Sequence, residues 1–153
     1  QDPDLNPGRI ELVGISFGAF LAAVPTVLDA RVERLWLIHG SGDPQAVIEQ
    51  GLRDRVPTSL LRSAIAWLLV TFAGAHHLSP EYWVADVAPR PLIVVNATAD
   101  SALTDGAVEV LHGALREPFE VLWSPGDHVH PKRPETIEYI TELLFSRISA
   151  SPQ

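Results

Sequence analysis

Short runs of consecutive apolar residues alternate along this chain with longer segments in which apolar residues recur every three or four positions. The short runs are rich in Val, Ile, Leu and Trp and are bounded by Gly, Pro or Asp, which predicts buried β-strands. Four strands are predicted, at residues 10–13, 35–39, 92–97 and 119–123. Because these runs lack a polar alternation, the strands are expected to be covered on both faces, as in a parallel sheet.

The longer segments carry a helical period and lie between the predicted strands. Five helices are predicted, at residues 17–29, 44–53, 59–75, 103–115 and 134–148. In the first of them, Pro25 removes a backbone donor and is expected to kink the helix or end it early. Regular alternation of strand and helix predicts an α/β fold, with a mostly parallel sheet and helices on both faces.

The segment between the second and third strands is long for a single crossover connection. Its central helix, around residues 64–73, is apolar on nearly every face. One interpretation is a crossover helix wedged into the core. The alternative is that residues 44–86 form a short cap over a site, or a subunit contact that would make the protein an oligomer.

Composition and charge exclude several classes of protein. Of the 153 residues, 46% are hydrophobic and 20% are charged, which is typical of a globular domain. The chain has 11 Lys and Arg residues and 19 Asp and Glu residues, so its net charge is −8. Nucleic acid, which is also negatively charged, is therefore a poor partner. The longest charge-free apolar stretch, residues 63–75, is too short for a membrane span of ~20 residues. The absence of cysteine excludes a thiolate nucleophile.

The beginning of the sequence reads as an internal loop that leads into a strand. Residues 1–8 contain three Pro or Gly positions, and the chain has no methionine at all. We therefore expect an upstream part of the protein to precede this sequence. Any targeting signal would lie in that part, so the localisation stays open.

Residues 14–18 read Gly-Ile-Ser-Phe-Gly and connect the first predicted strand to the first predicted helix. G-x-S-x-G between a strand and a helix is typical of a sharp turn that lifts a serine hydroxyl off the end of a sheet. Gly14 and Gly18 are expected to remove side chains that would collide there. Ser16 is thus a candidate nucleophile, and the Phe17 N–H at the helix N-terminus is a candidate oxyanion donor. The alternative is an ordinary turn that contains a serine.

A nucleophilic serine needs a base, and the base needs an acid that orients it. Asp100 follows the third strand closely, so it is expected at the same sheet edge as Ser16. It is the candidate acid, with Asp105 as the alternative. An Asp that merely ends the strand in an Asx-turn is a further interpretation.

The candidate base lies in the loop after the last strand. His128 follows Gly126-Asp127 soon after that strand, and His130 comes two residues later. His128 fits better because it is closer to the strand end, and His130 is the alternative. The two histidines suggest half of a metal site, but no nearby Asp or Glu completes a ligand set, so no metal is assigned.

On these residues the chain resembles the α/β-hydrolase superfamily, nearest to its dienelactone hydrolase-like and prolyl-oligopeptidase-like members. The resemblance rests on residues 7–18, 88–96 and 123–128. It implies that residues 1–153 are the C-terminal part of one α/β-hydrolase domain, truncated at its N-terminal side. It also implies that Ser16 is the nucleophile, Asp100 the acid, His128 the base and the Phe17 amide one oxyanion donor, with no cofactor.

The sequence departs from this family on the second oxyanion donor. Family members form it from a loop after an earlier strand, and only about ten residues precede the serine turn here. Loss of one such donor costs about 2.7–4 kcal/mol of transition-state stabilisation. We therefore expect this polypeptide by itself to be inactive or poorly folded.

The expected reaction is cleavage of a small carboxylic ester, lactone or thioester through an acyl-enzyme. A serine peptidase of the same fold and a non-catalytic protein that binds a ligand or partner are the alternatives. His39 ends a strand at the candidate site, where it lines the substrate pocket or is a satisfied core histidine. Trp67 is a candidate wall for an acyl pocket.

Overall fold

Four parallel strands form one sheet in which neighbours along the chain are also neighbours in space. The computed structural model describes residues 10–149 of the chain, so the loop-like residues 1–8 lie outside it. The sheet has the order β1-β2-β3-β4, and every adjacent pair is parallel. The strands are β1 (Ile10–Ile15), β2 (Val32–Ile38), β3 (Leu92–Ala97) and β4 (Phe119–Ser124). The four predicted strands are confirmed, with one to three residues added at the ends of all but β3. The prediction that His39 ends the second strand is wrong by one residue, because β2 ends at Ile38 and His39 begins the following loop with a positive φ of 50°.

Helices connect the strands, as the apolar period predicts. They are α1 (Phe17–Leu28), α2 (Pro44–Gly51), α3 (Ser59–Phe72), α4 (Asp105–Gly113) and α5 (Pro134–Ser149). Three short 3₁₀ turns, Ala75–Leu78, Pro80–Tyr82 and Val84–Val87, lead from α3 towards β3. The expectation that Pro25 ends α1 early is wrong. The helix continues to Leu28, and the Asp29 N–H still donates to the Pro25 carbonyl at 2.9 Å, because proline keeps its acceptor.

The two faces of the sheet bury separate apolar clusters, because successive side chains on a strand point to opposite sides. On one face, Leu35 and Leu37 pack with residues of α1 and α4. On the other, Trp36 and Ile38 pack with Ile140 of α5. The side chains of these four β2 residues, Leu35 to Ile38, are fully buried. Helices therefore cover both faces, as predicted.

The apolar helix α3 lies on the surface, so the interpretation that it is wedged into the core is wrong. Among its residues only Ala66 is buried, while Trp67 is 55% and Phe72 is 85% exposed. The physical reason is that α1, α4 and the 3₁₀ turns already fill one face of the sheet, and α5 fills the other. No helix within residues 10–149 combines the length and the apolar character that crossing a bilayer requires.

Candidate functional site

Ser16 occupies the turn between β1 and α1 in a backbone conformation that side chains rarely adopt. Its φ is 53° and its ψ is −118°, and non-glycine residues with positive φ are uncommon and strained. Two hydrogen bonds hold it there. The Ser16 N–H donates to the Ile38 carbonyl at 2.8 Å, and its carbonyl accepts from the Ala19 N–H at 2.9 Å. The turn thus holds the hydroxyl beyond the end of the sheet.

The two glycines of the motif have different roles, which the sequence did not distinguish. A Cβ on Gly14 would lie 2.6 Å from the Gly18 carbonyl oxygen and 2.7 Å from the Ala22 Cβ. Gly14 therefore lets the first turns of α1 approach the strand. A Cβ on Gly18 would meet no described atom within 4 Å, so the expected collision at that position is wrong for the described part of the chain.

Side chains from three strand ends meet at the carboxyl edge of the sheet. Ser16 Oγ lies 2.7 Å from Nε2 of His128, and Nδ1 of the same ring lies 2.8 Å from Asp100 Oδ2. Ser16 follows β1, Asp100 follows β3 and His128 follows β4. Since the strands are parallel, their carboxyl ends lie at one edge, and residues separated by 112 positions become neighbours.

Asp100 uses its two carboxylate oxygens for different purposes. Oδ1 accepts from the N–H groups of Ala102 and Leu103, both at 2.9 Å, in the Asx-type turn that the sequence suggested. Oδ2 remains for His128. Burial raises the pKa of Asp100, but the hydrogen bonds from His128, Leu103 and Ala102 outweigh burial and leave that pKa below its ordinary value. The carboxylate therefore stays ionised beside the imidazole.

His39 lies under the site as a satisfied core histidine, which is one of the two expectations from the sequence. It is fully buried. Its Nδ1 accepts from the Val129 N–H at 2.8 Å, which leaves the proton on Nε2 to donate to Ser124 Oγ, also at 2.8 Å. Both ring nitrogens are thus engaged by protein groups. Burial, with a smaller contribution from His128, lowers the pKa of His39 to about 4, so this ring is neutral at pH 7.

The remaining candidates have different surroundings. His130 is exposed and accepts from the Lys132 N–H at 3.1 Å, within its own loop. Asp105 is exposed at the first position of α4. Phe17 begins α1, where backbone N–H groups have no acceptor within the helix. Trp67 lies on the exposed side of α3.

Ligand-type atoms of His39, Asp100 and His128 lie within 4.8 Å of one another. Hydrogen bonds account for this approach, because Asp100 and His128 bond each other while His39 is held by Val129 and Ser124. The atoms of these three residues that could bind a metal ion are therefore already hydrogen-bonded to other protein groups.

Sequence reasoning missed Asp127 and Arg133. The Asp127 carboxylate accepts from the His128 N–H at 2.6 Å, and Arg133 Nη1 donates to the His128 carbonyl at 2.8 Å. Arg133 Nη2 also lies 2.5 Å from Asp127 Oδ2. A pair of opposite charges that flanks a candidate base in one short loop is the signal that identifies them.

The fold matches solved structures to which the sequence is only distantly similar. An α/β hydrolase from Penicillium sp. sh18, GrgF, superposes with a TM-score of 0.60 at 17% identity, over 94% of this chain and 64% of that one. An esterase of Pyrococcus furiosus gives 0.61 at 15% identity, over 92% and 51%. The esterase domain of a Rhodothermus marinus protein gives 0.62 at 16% identity, over 87% and 58%.

The chain therefore spans about half to two thirds of the length of these structures. No protein-family model matches the sequence, and no curated protein does.

Proposed function

We propose that this chain, which has the α/β-hydrolase fold, carries the nucleophile, acid and base of a serine hydrolase that cleaves carboxylic esters. One observation carries the proposal: Ser16 Oγ, His128 and Asp100 form a continuous hydrogen-bonded series with separations of 2.7 and 2.8 Å. These distances lie within the range that proton transfer between a nucleophile and its base requires. The strained backbone of Ser16 supports the same role, since strain of this kind clusters at active sites.

In the proposed reaction, Ser16 Oγ attacks the substrate carbonyl carbon while its proton moves to Nε2 of His128. Asp100 holds the Nδ1–H of the ring, which fixes its tautomer and stabilises the imidazolium that forms. The Phe17 N–H donates to the oxyanion. His128 then returns the proton to the leaving oxygen, the ester C–O bond breaks and an acyl-enzyme remains. Water, activated by the same ring, hydrolyses the acyl-enzyme.

The proposed substrate is a small-molecule ester, lactone or thioester. Among solved structures of the same fold, an enol-lactonase from Burkholderia xenovorans matches with a TM-score of 0.54 at 16% identity, and a puromycin-hydrolysing peptidase of Mycobacterium tuberculosis matches with 0.60 at 16%. A peptidase of the same fold is therefore the second candidate. Both reactions use the same three residues.

Residues 44–86 are proposed to form a short cap of this site. The support is the exposed apolar surface of α3, where Leu60, Trp67 and Phe72 are each more than half exposed. An apolar cap favours an acyl or alkyl group on the substrate, and Trp67 is proposed to contact that group.

Labelling of the intact protein with a fluorophosphonate, with the expected upstream part present, tests the proposed nucleophile. We expect one adduct, located on the peptide that contains Ser16, and no adduct in Ser16→Ala. Residues 1–153 contain no cysteine, so no thiol in this part of the protein competes for the reagent. Ser146→Ala is the matched control, because this exposed serine on α5 donates its hydroxyl to the Leu143 carbonyl of its own helix.

The outcomes separate the candidate functions. Labelling of the Ser146 variant but not of the Ser16 variant supports the serine hydrolase. A folded, intact wild-type protein that gains no adduct on Ser16 favours a non-catalytic protein that binds a ligand. Rates with matched ester and amide substrates then distinguish an esterase from a peptidase.

A further inference from the structure

The peptide backbone around His128 is held from both sides by one ion pair. Asp127 Oδ1 accepts the His128 N–H at 2.6 Å, and Arg133 Nη1 donates to the His128 carbonyl at 2.8 Å. The two side chains also bind each other, with Arg133 Nη2 2.5 Å from Asp127 Oδ2. Because the guanidinium is a planar fork, it reaches the carbonyl and the carboxylate with separate nitrogens.

The same carboxylate reaches the loop that carries the acid. Asp127 Oδ1 accepts the Ser101 N–H at 2.7 Å, and Oδ2 accepts the Ser101 hydroxyl at 3.0 Å. Ser101 directly follows Asp100. One side chain therefore binds the residue after the acid and the backbone of the base at once.

Backbone contacts between the two loops support this arrangement. The Ala99 N–H donates to the Gly126 carbonyl at 2.9 Å, and the Thr98 N–H donates to the Ser124 carbonyl at 3.0 Å. Gly126 has a φ of 85°, a conformation that glycine adopts readily, and it forms the turn directly before Asp127. The two loops thus form one hydrogen-bonded unit in which the Asp127 side chain contacts the backbone of the base.

We propose that Asp127, together with Arg133, is a positioning residue that fixes the distance between Asp100 and His128. This inference rests on the proposed function for its catalytic consequence. Asp127 acts through the backbone of the base and does not touch the reacting atoms. Hydrogen bonds, above all from the Ser101 N–H, lower the pKa of Asp127 to about 2, so its carboxylate is ionised at pH 7.

The test compares Asp127→Ala with Asp127→Asn and a matched control. The Asn side chain keeps an oxygen where Oδ1 accepts the Ser101 and His128 N–H groups, but it loses the charge that faces Arg133. Glu120→Ala is the control, because Glu120 and Arg147 form a comparable ion pair at 2.9 Å between β4 and α5, away from the site. Arg133→Lys is the second variant, since a single ammonium cannot replace the fork.

Three readouts are measured on the intact protein, with the expected upstream part present. They are the low-field proton NMR signal of the His128 Nδ1–H, the kinetics of Ser16 labelling by the fluorophosphonate, and the urea midpoint of unfolding. In Asp127→Ala we expect the low-field signal to broaden and the maximal labelling rate to fall about 10- to 100-fold, because a small displacement of a catalytic group has effects of this size. The concentration for half-maximal labelling should not change. Asp127→Asn should recover most of the rate, and Glu120→Ala should label like the wild type.

The outcomes distinguish this inference from the proposed function. If Asp127→Ala keeps the signal and the labelling rate of Glu120→Ala, the positioning role is refuted while the proposed function stands. If the wild type is not labelled but its low-field signal still depends on Asp127, the proposed function fails and the positioning role stands. If Asp127→Ala does not fold, Arg133→Lys decides, and a wild-type rate and signal in that variant overturn the inference.

Discussion

Acidification from pH 7 to pH 5 is expected to destabilise this fold through His39. The ring is fully buried, and its Nδ1 accepts a backbone N–H, so a second proton has no acceptor in the folded state. Burial lowers the pKa of His39 to about 4, against its ordinary 6.5. The unfolded chain therefore binds more protons than the folded chain between these two values. Stability due to His39 is complete above pH 6.5 and is lost as the pH falls towards 4.

The magnitude follows from the two pKa values. Each unit of difference is worth about 1.4 kcal/mol, and the part that develops between pH 7 and pH 5 is about 2 kcal/mol of unfolding free energy. This is a large fraction of the stability of a small domain. Carboxylates contribute little over the same interval, because unfolded Asp titrates near pH 3.9.

Urea unfolding at pH 7, 6 and 5 measures this effect in the wild type and in His39→Asn. Asparagine tolerates the positive φ of 50° at this position and keeps an acceptor for the Val129 N–H, but it does not titrate. His112, whose pKa burial also lowers, is present in both proteins and cancels in the comparison. The stability advantage of the wild type should shrink by about 2 kcal/mol on acidification. Parallel pH profiles would refute the buried, neutral state of His39.

Two further substitutions test the turn and the cap. Gly14→Ala places a Cβ 2.6 Å from a backbone oxygen of α1 and is expected to lower the free energy of unfolding in urea by about 1–3 kcal/mol. The Cβ of Gly18→Ala meets open space on a helix, so this substitution should be neutral or should stabilise the fold by up to about 1 kcal/mol. Equal effects of the two substitutions would contradict the assignment of the tight approach to Gly14. Trp67→Ala should change the free energy of unfolding by no more than about 0.5 kcal/mol, because the side chain is 55% exposed. It should lower kcat/KM about tenfold for a long-chain ester relative to an acetyl ester. An unchanged chain-length preference would remove Trp67 from the acyl pocket.

Sequence reasoning predicted that three candidate residues meet at one sheet edge because its signals are local. Ser16, Asp100 and His128 each follow a strand whose apolar run is unambiguous, and parallel strands bring their carboxyl ends to one edge. The structure brings these three side chains into hydrogen-bonding contact. The position of α3 was less predictable, because the sequence of an apolar helix has the same pattern whether the helix is buried in the core or covers a surface. Its exposure depends on which faces of the sheet other helices already fill.

By itself, the sequence determined the alternation of strands and helices, the strained serine turn and the order in which the candidate acid and base follow it. These features depend on side-chain period and on turn residues within a few positions. Only the tertiary structure decided that His128 rather than His130 reaches Ser16, that His39 is buried beneath the site and that Asp127 joins the two loops. Such contacts join residues from 26 to 112 positions apart, and their partners are fixed by sheet register and loop conformation rather than by neighbours along the chain.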